Sequence, residues 1–175
     1  MVVPVLSDVR LTLRPPRPTD RDDWRALGHS PEVARGFGVE LPGPREATVE
    51  ESDSWFADFA RQDHAWAIDL GARFIGTIRL HSFVPADSRS SVAIAIFDPA
   101  LFGHGCGTEA LRLVIRYGFT ALGLHRLSIR VLASNTRAIR CYEKCGFQHE
   151  GRERESARVG ERWEDDLIMG LIRED

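Results

Sequence analysis

Two junctions at which a strand runs into a helix, about thirty residues apart, restrict the fold of this chain more than any other feature. In the first, the continuously apolar run Val92-Ala-Ile-Ala-Ile-Phe97 reads as a central strand covered on both faces. Residues 98–102 then lead into Phe102-Gly-His-Gly-Cys-Gly-Thr108 and a helix over 108–122. In the second, a strand over 126–132 precedes a helix over 135–145, which Gly146 ends because glycine accepts the left-handed conformation common just past a helix. Strands that alternate with helices over short connections imply a mixed sheet with helices on both sides.

The other segments extend that sheet. Val9, Leu11 and Leu13 alternate with Arg10, Thr12 and Arg14, the period of a half-buried first strand. Pro15, Pro16 and Pro18 stop it, and Thr19 or Asp20 can cap a short helix through Leu27. Ser30-Pro-Glu opens another helical turn with proline at the first helical position. Residues 36–43 form a loop, and 44–62 a helix with Trp55, Phe56 and Phe59 inward. Strands follow at 65–70 and 73–83, joined by a Gly71-Ala72 hairpin, and then at 91–97. Residues 147–155 and 166–173 close the sheet. The expected class is α/β (α+β), a mixed and mostly antiparallel sheet of about six to seven strands flanked by helices, in one domain over 1–175.

Composition excludes several functions. With 43% hydrophobic and 28% charged residues the chain reads as an ordinary globular protein. A net charge of −3 offers no electrostatic ground for a nucleic-acid partner. Residues 1–6 lack the basic start and apolar run of a signal peptide, and no stretch approaches the ~20 apolar residues of a membrane span. A cytoplasmic protein with no membrane partner is expected. Cys106, Cys141 and Cys145 show no zinc or disulfide spacing, so no metal is expected, and Cys141 and Cys145 read as small packing residues.

The chemistry-bearing residues lie at the two junctions. Gly103, Gly105 and Gly107 let consecutive N–H groups converge without Cβ obstruction, and the helix start beside them adds about half a positive charge. Together they suit a pyrophosphate. Gly105-Cys-Gly-Thr-Glu-Ala110 also matches the loose dinucleotide fingerprint, but the next strand ends Val131-Leu-Ala-Ser134 without the acidic residue that fold needs. On the second helix Asn135 and Tyr142 are seven residues apart. That spacing is about 700° of rotation and roughly 10 Å of rise, so both side chains should leave one face.

An anion cradle followed by a helix presenting Asn and Tyr resembles the GNAT superfamily of N-acetyltransferases, most strongly over 91–147. The resemblance implies a GNAT-like fold and acetyl-CoA as cosubstrate. Gly105 and Gly107 match the family's Q/R-x-x-G-x-G/A turn, with Phe102 at its polar position, so Phe102, Gly103, His104, Gly105, Cys106, Gly107 and Thr108 are the expected cofactor contacts. The backbone of Ile96 and Phe97 would face the pantetheine arm, Asn135 would orient that arm or a water, and Tyr142 would assist the leaving thiolate. Unperturbed, a phenol near 10 facing a thiol near 8.5 is about 2 kcal/mol uphill for full transfer, so a hydrogen bond asks less of the site. Val92 stands where relatives place a glutamate base; Glu40, Asp165 and Asp166 remain candidates, while His104, beside the phosphates, is not one. Without an obvious base a low-pKa acceptor is favoured. At pH 7 a lysine amine is neutral roughly once in 2,500, whereas an α-amine is about 14% neutral.

Leu13-Arg-Pro, Thr19-Asp, Ser30-Pro-Glu-Val, the Trp55 helix and Glu164-Asp-Asp-Leu-Ile-Met-Gly-Leu-Ile-Arg173 are similar to the RimJ/RimL-type branch. Its acceptors are amines, including protein N-termini and small molecules, and a homodimer is an open expectation. Two functions follow. One is direct acetyl transfer to a primary amine through a ternary complex, with no covalent enzyme intermediate; the other is a non-catalytic acyl-CoA-binding sensor or interaction module.

Overall fold

The computed structural model describes residues 3–174; Met1, Val2 and Asp175, the ends of the expected domain, lie outside the described residues. Apolar alternation builds its first half. Leu11 and Leu13 of β2 (Leu11–Arg14) are fully buried and pair with Leu70 and Ile68 of β3 (Ala65–Leu70). Val9, expected in this strand, is exposed because pairing starts only at Leu11. A two-residue strand that was not expected, β1 (Leu6–Ser7), flanks β2. Two short helices, α1 (Asp20–Leu27) and α2 (Pro31–Gly36), follow, then α3 (Val49–Ala60). Ser30 caps α2 as expected, accepting from Glu32 and Val33 N–H. Thr19 makes no side-chain cap. Helix α3 starts five residues later than Pro44 suggests, where Thr48 and Glu51 form a reciprocal capping box.

The sheet continues through β4 (Arg73–Val84) and β5 (Arg89–Ile96), the long helix α4 (Cys106–Thr120), β6 (Arg126–Leu132), α5 (Thr136–Glu143), β7 (Gln148–Val159) and β8 (Arg162–Ile172). The described residues form one eight-stranded sheet in the order β1-β2-β3-β4-β5-β6-β8-β7. Every neighbouring pair is antiparallel except β5 and β6. The closing strands run longer than expected, turning at Gly160 rather than breaking between residues 155 and 166.

Two cores sit on opposite faces. Leu111 and Val114 of α4, and Ile139 and Tyr142 of α5, pack with Val92, Leu127, Ile129 and Met169. On the other face Trp24 and Trp55 stack at 5.0 Å and join Phe59, Phe74 and Phe97. The buried guanidinium of Arg14 joins this face of the sheet to α1: Nε donates to Asp69 at 2.6 Å and Nη2 to Asp20 at 2.7 Å.

One irregularity positions everything that follows. The parallel pairing of β5 with β6 covers only Arg89–Ser91 against Arg126–Ser128, yet the strands continue to Ile96 and Leu132. They diverge, and the gap passes through the sheet. Val92–Ile96 is therefore not a strand covered on both faces: Val92 is buried, but Ala93, Ile94, Ala95 and Ile96 are only half-buried because they wall an opening.

Candidate active site

The gap widens into a cleft of about 1050 Å³ walled by β5 from Ser91 to Ile96, by β6 from Ser128 to Leu132, by the glycine turn and by α5. The turn is shaped for an anion. Gly103 and Gly105 have φ of 79° and 87°, a region that disfavours side chains. Among the described residues, the N–H groups of Gly103, Gly105, Gly107 and Thr108 find no acceptor. Such unpaired donors at a helix start are what phosphate oxygens satisfy. Arg10, which the sequence reading passed over, braces the turn: it pairs with Glu109 and donates to the His104 carbonyl at 3.1 Å.

Cations complete this side. Arg137, Arg140 and Lys144 of α5 and the residue after it line the cleft. The Arg137 guanidinium lies 3.5 Å over the Phe102 ring, so the apolar residue at the polar motif position carries a cation to the turn. These features fit a pyrophosphate-bearing group.

Asn135 is the N-cap of α5 rather than its first residue, its Oδ1 accepting from Ala138 N–H at 3.2 Å. The helix proper therefore starts one residue later than expected, and Asn135 and Tyr142 both line the cleft. The Asn135 Nδ2 lies close against Gly36 of α2. Tyr142 is nearly buried, packs edge-on against Phe147, and its hydroxyl is hydrogen-bonded by no described residue. Burial first, and then Cys141, pushes its phenol well above the ordinary value, so it is protonated at neutral pH.

Other expected residues divide. Ile96, Phe102, Gly103, Gly105, Cys106, Gly107 and Thr108 line the cleft. His104 is exposed outside it, with Nδ1 3.0 Å from the Phe102 carbonyl. Phe97 turns away into the aromatic core, and its N–H is spent on the Ile75 carbonyl. Of the base candidates, Glu40 lies over Gly160 and Asp165 is engaged by Arg152 and the Glu155 N–H, both away from the cleft. Asp166 alone reaches the cleft, and its Oδ2 takes Arg130 Nε at 2.8 Å and Ser156 Oγ at 2.9 Å.

His81 also lines the cleft, opposite Ser91, and the sequence reading did not single it out. Burial and then Arg79 hold it below the usual imidazole range, so near neutral pH it is uncharged and able to accept a proton. Nothing local in Leu80-His-Ser82 marks it; only the strand register brings it to the cleft.

Residues 10–148 match the model of the acetyltransferase (GNAT) domain family. This chain belongs to the GNAT acetyltransferase family. A Bacillus subtilis protein bearing the name Probable N-acetyltransferase YjcK is 34% identical over 59% of this chain, which spans only 57% of that relative's length. The spermidine N(1)-acetyltransferase of Escherichia coli K12 is 31% identical over 77% of this chain and 73% of its own. The fold is also that of the Vibrio cholerae spermidine N-acetyltransferase in complex with CoA and spermine, with a TM-score of 0.77 at 23% identity over 94% of this GNAT chain and 96% of the other. Among the described residues of the GNAT chain no helix is long and apolar enough to cross a membrane.

Proposed function

We propose that this GNAT protein, acting as a single domain of the RimJ/RimL-like type, transfers an acetyl group from acetyl-CoA to a primary amine within a ternary complex. The observation that carries the reading is the break in the sheet. One cleft joins the unpaired donors of the glycine turn to Tyr142 and continues to the opposite face, where α2 and β7 leave room for an acceptor.

Gly103, Gly105, Gly107, Thr108, Arg137, Arg140 and Lys144 would hold the phosphates. When bound, acetyl-CoA supplies the acetyl thioester. The turn follows the end of β5, so Ile96, Ile94 and Ser91 would flank the pantetheine arm of a group held there. The acceptor nitrogen forms the new C–N bond as the C–S bond breaks. His81 is suited to take the ammonium proton, and the Tyr142 hydroxyl to hydrogen-bond the departing sulfur. The acceptor class includes protein N-terminal α-amines and small amines; the E. coli and Vibrio relatives are named for spermidine.

The test is steady-state release of CoA thiol, with the acetylated product identified by mass, over a panel of α-amines, ω-amino acids and polyamines. Turnover on at least one amine is expected. CoA binding with no turnover on any member would instead make the chain an acyl-CoA-binding sensor.

A further inference from the structure

Strand register sorts the charged residues of the cleft by face, because cross-strand partners point the same way. Val92, Leu127 and Ile129 share the face of α4 and α5. Arg79 sits opposite Ala93, and Arg89 is two residues from Ser91 on β5, so these cations lie on the other face with Ser128 and Arg130. All line the cleft.

This face is deficient in acid. Asp166 is the one carboxylate among the described lining residues, and Arg130 engages it. Arg79 donates to the neutral Gln62 amide at 2.9 Å, so that contact leaves its charge in place. Arg89 meets Asp87, which does not itself line the cleft, in a half-exposed pair of the kind that water and salt largely screen. In the adjoining hollow Asp58 is answered by Arg61.

We infer that the acceptor carries an acidic group besides its amine, held by Arg79 and Arg89, and that this cleft discriminates against polyamines. The inference rests on the acetyl-transfer reading for which amine reacts, but not for what binds. A diammonium acceptor would bring its second charge against arginines with no free carboxylate to meet it, and like charge at a contact suppresses the wrong partner. An acidic group instead meets a face that carries the guanidinium groups of Arg79 and Arg89.

Binding of 4-aminobutyrate and 1,4-diaminobutane, each with four carbons and one shared amine, is measured by calorimetry on the CoA-saturated full chain. The amino acid should bind at least about tenfold more tightly. In the Arg79→Gln/Arg89→Gln double variant that ratio should fall toward one while CoA affinity is kept, which also reports that the variant is folded. Tighter binding of the diamine, binding of neither probe, or an unchanged ratio in the variant would each overturn the inference. A pair of tetrapeptides beginning Ser-Asp and Ser-Lys separates the sources. A gain from aspartate assigns the acid to a peptide acceptor, and a gain confined to the free amino acid assigns it to a small molecule. Amino-acid preference without turnover on any amine would leave acid recognition standing and remove the transfer reading.

Discussion

In the proposed reaction Tyr142 and His81 would divide the proton work, because burial shifts the two groups in opposite directions. The Tyr142 phenol, raised by desolvation, lies further above a thiol near 8.5 than a free phenol does, so full proton transfer to sulfur costs more than the ~2 kcal/mol of the unperturbed pair. The role proposed for it is therefore a hydrogen bond to developing thiolate. Tyr142→Phe keeps the ring against Phe147 and should lower kcat by roughly 10–1,000-fold with CoA affinity nearly unchanged. The loss should shrink with a thioester of a more acidic thiol; equal losses with both would assign Tyr142 to positioning alone. For His81 the sign is opposite. Burial and Arg79 favour the neutral imidazole, so it must be protonated to lose function, and kcat/KM should fall as pH drops through a midpoint below about 6.5. His81→Gln should abolish that acid limb, and a limb that survives in the variant would belong to another group.

At the scale of elements, α3 depends on its first turn. Thr48 Oγ1 accepts from Glu51 N–H at 3.1 Å while Glu51 Oε2 accepts from Thr48 N–H at 2.9 Å. Thr48→Ala should cost about 1 kcal/mol of stability, read as a lower urea midpoint. The Arg45 hydrogen bond, and then the Thr48 N–H, hold the Glu51 carboxyl down to about 2. A depressed carboxyl stabilises above its unfolded value and loses that effect as pH falls through the folded one. The melting-temperature gap between the parent and Glu51→Gln should therefore be full above roughly pH 4.5 and shrink toward pH 2. Helix starts were legible where a capping residue meets the periodic pattern, as at Ser30, and misplaced at 44, where proline outweighed the Thr48 signal. The first strand was legible from its alternation, and β3 and β4 from apolar runs joined by the Gly71-Ala72 hairpin. Strands were not legible in residues 156–165, where both faces of the β7–β8 hairpin are largely polar and no period stands out. The glycine turn was legible because donor geometry follows from local sequence. The residues of β5 did not themselves show its divergence from β6, which only the family resemblance implied, since an apolar run looks the same whether it lies in a core or along a cleft. The positions of Phe97, His81 and Asp166 depend on that divergence and on register.

For the molecule as a whole, the face proposed to take the acceptor is tied to helix α1 by one buried charge cluster. Arg14 sits on β2, Asp69 on β3 and Asp20 at the start of α1, and all three are buried. Burial works against the Arg14 charge, but the hydrogen bonds it donates to Asp20 and Asp69 outweigh that and raise the guanidinium above its ordinary value. Asp20 also accepts from the Arg17 N–H at 2.8 Å, which fixes the entry to α1 without a cap from Thr19. Arg14→Met fills similar volume yet leaves two carboxylates in a dry site. Breaking such a cluster from one side costs about 3–5 kcal/mol, whereas neutralising all its members costs far less. The single variant should therefore lose several kcal/mol in urea unfolding, and adding Asp20→Asn and Asp69→Asn should recover much of it. A single variant within 0.5 kcal/mol of the parent would remove the cluster from the account of stability. Function should follow the geometry. Helix α1 carries Trp24, which stacks on Trp55 beside the hollow next to Arg79, while the glycine turn is braced separately through Arg10. In whatever fraction of Arg14→Met remains folded, acceptor KM should rise more than the dissociation constant for CoA. An equal rise in both would mean that the two faces of the sheet yield together.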